Sequence, residues 1–262
     1  MPPLATSPVN PIGQQASSAI ILPACVALLC TAVLITILGQ YTDLDLLLAD
    51  LYFDSQRQIF PWDTTWFAKD FMHGHVKNVL RGSGFMVLAL TLVDFVRPLR
   101  SASPRFSARL RVLSLAFLIE PYLIRYLKQN SNMHCPWGID RYGGNQPLLR
   151  LLDWVPEGWN AGHCFPAGHA SAAMWLCALA VFWLPHSPRK ASLAFVGGIG
   201  AGFFLGWVQQ MRGQHFLTHT LWTAWLASAL LLGLVAAFSG KLLTRPAAST
   251  TFGAAPLPKP QA

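Results

Sequence analysis

Residues 20–38 read IILPACVALLCTAVLITIL, nineteen positions without a single charge. At the 1.5 Å rise of an α-helix this is about one hydrocarbon thickness, so the stretch reads as a membrane-spanning helix. Pro23 falls near its start, where a missing N–H is tolerated. A cleaved signal peptide needs a basic region ahead of a short apolar stretch, and no Lys or Arg precedes Arg57. The helix is therefore expected to be retained.

Five further apolar stretches follow at 79–96, 112–127, 170–184, 191–208 and 217–238. The second holds Arg81 and Asp94 near its ends, and the third contains Glu120 and Arg125. Treating these two as buried helices of a soluble domain would strand the remaining apolar runs, so six spans are expected. Composition agrees. Of 262 residues, 53% are hydrophobic and only 11% are charged, against about 25% charged in an ordinary soluble protein. That excludes a soluble cytoplasmic enzyme. Ten Trp and sixteen Phe suit aromatic belts at the headgroup level.

A net charge of +8 would suit a nucleic-acid binder only if the basic residues shared one face. Here they lie in short groups beside apolar segments, so no nucleic-acid partner is expected and the charge reads as orientation. The segment 97–111, the turn 185–190 and the tail after Gly240 hold ten of the 19 basic residues and no acidic one. The opposite face carries Asp43, Asp45, Asp50, Asp54, Asp63, Asp70, Asp140, Asp153 and Glu157. Basic loops stay inside, which places both termini in the cytoplasm of a multi-pass protein of a bacterial inner membrane. The expected division is an unstructured cytoplasmic segment 1–17, a membrane domain 18–240 and an unstructured cytoplasmic tail 241–262. The long outer segment 40–78 reads as a short interfacial helix followed by a stretch returning to the membrane.

Under this topology His73, His75, His134, His163, His169, His215 and His219 all face outward, and only His186 faces inward. Imidazoles carry protons near neutral pH and serve as nucleophiles, so one outer, periplasmic active site is expected. Three segments supply it. Residues 164–171 read CFPAGHAS, where Ala167 and Gly168 let a backbone approach a ligand closely and His169 opens an apolar helix. Residues 207–222 read WVQQMRGQHFLTHTLW; Arg212, His215 and His219 stand three and four apart, on one side if the stretch is helical. Residues 128–144 read KQNSNMHCPWGIDRYGG, with Lys128 and Arg141 in reach of an anion. Each also has a plainer reading: a helix-starting turn, a lipid-facing Arg–His pair, and headgroup anchors.

Taken together, the three segments resemble the type 2 phosphatidic acid phosphatase (PAP2) superfamily over about residues 43–238. That family carries Lys, six residues and Arg-Pro; then Pro-Ser-Gly-His; then Ser-Arg, five residues, His, three residues and Asp. The resemblance implies an all-α membrane protein of six transmembrane helices with a PAP2/haloperoxidase-like helical core. It implies a phosphatase in which His215 attacks phosphorus to form a phosphohistidine and His169 protonates the leaving group. No cofactor and no metal are expected. Departures are equally clear. Cys135 stands at the first arginine, Ala167 replaces the serine, Gln209 stands at the second arginine and His219 at the aspartate. Arg141 and Arg212 are the candidate replacements for the arginines, beside Lys128, Ala167 and Gly168 at the phosphate, and His219 is the candidate acceptor of the His215 Nδ1 proton.

The expected partner is an anionic lipid phosphate or diphosphate, with undecaprenyl diphosphate, phosphatidylglycerophosphate, phosphatidic acid and lipid A phosphates as candidates. Phosphotransfer to a second lipid uses the same intermediate and stays open, as does a non-catalytic lipid-binding or transport protein. A zinc site at His215 and His219, at helical ligand spacing with His73 and His75 on the same face, lacks an HExxH pattern or a carboxylate partner. Cys135 and Cys164 alone of the five cysteines lie outside the apolar spans, in one outer loop, each adjoining a motif. A disulfide is expected there; the alternative is two free thiols.

Overall fold

A computed structural model describes residues 11–97 and 103–243. Among these the fold is all-α: α1 (Pro11–Tyr41), α2 (Leu44–Asp50), α3 (Lys77–Val96), α4 (Pro104–Gln129), α5 (Gly168–Met174), α6 (Pro188–Met211), α7 (Leu217–Ala237) and a short α8 (Ser239–Leu242). A π-helix, Phe67–Val76, runs directly into α3, and a 3-10 helix, Trp175–Phe182, continues α5. Four segments are long and apolar enough to cross a membrane: Ile20–Tyr41, Phe67–Val96, Pro188–Met211 and Leu217–Ala237.

The two remaining expected spans are helical but differ in kind. α4 is long enough, yet carries Arg105, Arg109, Arg111, Glu120, Arg125 and Lys128. The segment Gly168–Phe182 is short, but its second half is a 3-10 helix. At about 2.0 Å per residue there, against 1.5 Å in α5, the pair covers roughly 26 Å. The span expected from residue 79 begins earlier, at Phe67, because the polar face bearing Lys69, Asp70 and His73 interrupts the apolar run without ending the helix. α1 starts at Pro11, inside the segment expected to be unstructured, where proline suits a first helical position. Leu242 and Leu243 are buried, so the fold reaches past residue 241. Residues 1–10, 98–102 and 244–262, which include parts of the expected termini and of the basic loop, lie outside the described residues.

The packing is a central group with outriders. α5 and its 3-10 continuation lie against α4, α6 and α7, while α1 packs on α7 and α3 on α4. Trp175, Phe117, Met174 and Val181 fill this core, with Phe117 edge-on to Trp175. Two glycines of α6 permit the closest approach. A Cβ added at Gly198 would collide with the Cys177 backbone nitrogen, and one at Gly202 with the Met174 side chain, 2.7 Å from the Ala170 carbonyl oxygen. The outriders stay exposed along their length: Leu22 and Leu29 on α1 and Val79 and Val96 on α3 each show two thirds or more of their surface. Apolar rows of that extent call for lipid.

At the end of the bundle that carries the histidines, polar side chains close the helix ends. The Arg150 guanidinium donates to the carbonyls of Gly39, Gln40 and Thr42 at the end of α1 and pairs with Asp43. At the opposite kind of terminus, Asp45 of α2 accepts from the Thr218 backbone N–H at 3.0 Å and from its hydroxyl, capping α7. Phe53, Phe60 and Tyr142 stack edge to face over the entry to α7. These segments thus cover the ends of the helices that carry the histidines.

Candidate active site

The start of α5 is pinned to α7. The Ala167 N–H donates to the His219 carbonyl and the Ala167 carbonyl accepts from the Thr223 hydroxyl, each at 3.2 Å. His169, second in α5, therefore stands at a fixed place. Its Nε2 lies 3.3 Å from Nε2 of His73, which arrives from the π-helix. Nδ1 of His73 lies 3.1 Å from an Arg212 Nη1. A guanidinium only donates, so His73 Nδ1 accepts; neutral His73 then carries its proton on Nε2 and donates it to His169. These tautomers are assigned from donors and acceptors. The proton left on His169 is at Nδ1, which is buried and without a hydrogen-bond partner among the described residues.

Arg212 ends α6 and is nearly buried. Its Nε and Nη2 donate to Asp63 Oδ1 at 3.1 and 2.8 Å, and Nη1 donates to the Gln209 side-chain oxygen at 3.0 Å. The chain then turns at Gly213, whose φ of 68° and contact with the Phe60 ring leave no room for a side chain. The helix expected to carry Arg212, His215 and His219 on one side is thus interrupted: α6 stops at Met211 and α7 starts at Leu217. The turn brings Arg212 and His215 to the site by another route.

His215 is 1% exposed. Its Nδ1 is 3.6 Å from the Cys164 sulfur, which is bonded to Cys135 and can only accept. Nδ1–H held this way leaves the Nε2 lone pair free. Burial, and after it the Lys128 charge, keep the His215 imidazole well below its ordinary pKa, so it is neutral. The His169 ring centroid is 6.4 Å away. His219 does not take the expected acceptor role: its ring is 5.8 Å from that of His215, and both its nitrogens are buried without hydrogen-bond partners among the described residues. Cys164 occupies that place.

Lys128, half-buried at the end of α4, lies beside Gly168; a Cβ there would have the Lys128 Cδ as its nearest neighbour, at 4.0 Å. The charges of Lys77, Lys128 and Arg212 all act on His169. Arg141 does not join them. It forks onto Asp50 at 3.1 and 2.7 Å, and the Tyr142 hydroxyl donates to the same carboxylate. That pairing holds the Asp50 carboxyl below its usual range. The sequence placed Arg141 beside a cysteine at a motif arginine, but the two short 3-10 turns after Cys135 aim it at α2 instead. Arg141→Ala is expected to keep kcat and KM within about twofold. Its stability loss should be about 1 kcal/mol or less, since the pair is half-exposed. A steady-state assay with a thermal melt checks both.

Cys135 and Cys164 form a disulfide with Cα atoms 5.2 Å apart. Their sulfurs and a His215 nitrogen lie within 4.8 Å of one another, a metal-like grouping in which the S–S bond already commits both thiols. The bond closes 29 residues of sequence. Its chain-entropy contribution is about 3.5–4 kcal/mol. Reduction is expected to lower the unfolding temperature in detergent, and mass spectrometry of the unreduced, alkylated protein should recover a cross-linked peptide pair. Two separately alkylated peptides would reject the bond in the purified protein.

His73 and Asp63 are the site members that the motifs did not reveal. Both come from the segment before α3, and the only signal in the sequence was the His73–His75 pair, weighed there as companions of His215 and His219 in a zinc site. A family model described as the PAP2 superfamily matches residues 109–242, from α4 to α8. No curated protein and no solved structure gives a significant match.

Proposed function

The chain belongs to the PAP2 superfamily, a membership that supports phosphatase activity, and from that premise we propose that it is a six-span lipid phosphate or diphosphate phosphatase of a bacterial inner membrane. Both termini are cytoplasmic and the site faces the periplasm in this reading, following the distribution of basic loops. The observation that carries the chemistry is His215: a buried, neutral imidazole whose Nδ1 is occupied by Cys164, with its second nitrogen free beside His169 and Lys128.

His215 Nε2 attacks phosphorus and a phosphohistidine forms, while the ester or anhydride oxygen leaves with a proton from His169, which takes that proton up to become the imidazolium as the anionic substrate binds beside it. Water activated by the now basic His169 attacks the phosphohistidine, releasing phosphate and restoring His215. Lys128 and the N–H groups at the start of α5, at Gly168 and His169, neutralise the charge on the transferring oxygens. Arg212 acts through its grip on His73 and Asp63. The exposed apolar faces of α1 and α3 leave the lipid tails of the substrate in the bilayer while its headgroup enters from the outer end.

The test is phosphate release by purified protein in detergent, presented with undecaprenyl diphosphate, phosphatidylglycerophosphate, phosphatidic acid and lipid A in parallel. Turnover of one or more of these, inhibited by vanadate and insensitive to EDTA, supports the phosphohistidine route. Loss of activity in EDTA would replace it with metal-assisted hydrolysis. Transfer of labelled phosphate to a second lipid would make the protein a phosphotransferase.

A further inference from the structure

The match to the family begins at residue 109, beyond α3, yet α3 and the π-helix before it reach the site. His73 touches His169, and Lys77 follows it by four residues in a continuous helix, which places the two side chains on neighbouring positions of one face. α3 also packs against α5, the helix of His169. Lys77 is half-buried, and its charge interacts with Lys128 and acts on both His73 and His169.

Two half-buried lysines thus flank the His73–His169 pair, Lys77 one helical turn beyond His73 and Lys128 beside Gly168, the residue before His169. Among the described residues neither has a carboxylate partner: the ion pairs there join Arg57 to Asp54, Arg141 to Asp50, Arg150 to Asp43 and Arg212 to Asp63. Arg212, the third cation, already has its counter-charge. Bringing like charges together away from bulk water is unfavourable, so an uncompensated pair marks a place for an anion. Two net positive charges match a dianionic phosphate monoester or a terminal diphosphate better than the single charge of a phosphodiester.

We propose that Lys77 is a phosphate-binding residue which, with Lys128, holds the dianionic terminus of the substrate over His169, filling the cationic position that Cys135 vacates. The inference rests on the phosphatase reading for its substrate, but not for its test. The geometry requires no movement of Arg141 from Asp50.

Inorganic phosphate is the probe, added to the full chain in detergent. In the wild-type protein it should slow acetylation of Lys77 and Lys128 by acetic anhydride, read by mass spectrometry, and leave exposed Lys69 unprotected. Lys77→Gln should weaken phosphate binding by about 10- to 100-fold, the usual effect of removing a charged hydrogen-bond donor, and Lys77→Arg should recover most of it. Lys69→Gln should bind as the wild type does. The labelling experiment needs no variant, so it decides the matter even if Lys77→Gln does not fold. Unchanged labelling of Lys77 at saturating phosphate, or unchanged phosphate affinity in folded Lys77→Gln, overturns the proposal. If no lipid phosphate is hydrolysed while phosphate still protects Lys77, the phosphatase reading falls and the anion site stands.

Discussion

His215→Ala is expected to reduce phosphate release by about 10⁴-fold or more while leaving a folded protein that still binds inorganic phosphate. Losing the nucleophile removes the covalent route altogether, and what remains is catalysis by the surrounding charges, as in other enzymes stripped of a nucleophile. A melt in detergent and a phosphate-binding measurement separate this from unfolding, because His215 is fully packed and its removal leaves a cavity. Near-normal turnover would dismiss it as nucleophile. The pH profile gives a second readout. The imidazole is held below 6.5 by burial and then by Lys128, so its neutral form persists as the medium acidifies past that value. The acid limb that His215 imposes on kcat/KM should therefore lie below pH 6.5, and Lys128→Met should move it upward. The same depression has a cost in stability: below pH 6.5 the unfolded chain binds a proton that folded His215 refuses, so stability falls as pH drops through that range.

Arg212→Ala is expected to lower kcat by about 10²–10³-fold, the range seen when a preorganised donor at a reacting centre is lost. The guanidinium is the junction of Asp63, Gln209 and His73, and without it nothing fixes the His73 Nδ1 as an acceptor. Arg212→Lys should rescue little, because one ammonium cannot meet Asp63 through two N–H groups and His73 through a third. The readout is kcat at saturating substrate, compared with the folded fraction. A fall in stability with intact kcat would make Arg212 a structural tie only.

Much of this was legible in the chain. The apolar runs found every long helix among the described residues, because hydrophobic stretches of bilayer length have few other uses. What was lost came from three physical causes. The π-helix hid His73, since its turn is wider than the helical period used to judge faces, and its polar residues masked the true start of the span. Gly213 broke a helix that the Arg212, His215 and His219 spacing seemed to require, and a left-handed residue in an otherwise apolar context gives no periodic warning. Arg141 was assigned by its nearness to a motif, but an arginine is long and pairs with whichever carboxylate the fold brings closest; that was Asp50, ninety-one residues earlier. His219 sits where the family has an aspartate, yet the sulfur of Cys164 took the contact that position would supply.

The glycines of α6 have a mechanical meaning. At Gly198 the α6 backbone meets that of the 3-10 continuation of α5 with no side chain between them, and at Gly202 it comes close to the Ala170 carbonyl beside Met174, so the two can hardly slide past one another. The two helices behave as one rigid body. His169 begins the first of them and Arg212 terminates the second, so their separation is a property of the main chain and survives repacking of the core by side chains of equal size. Gly198 lies about 21 Å along α6 from Arg212. A single methyl group added there would pry the pair apart and be felt at the far end, between His169 and Arg212.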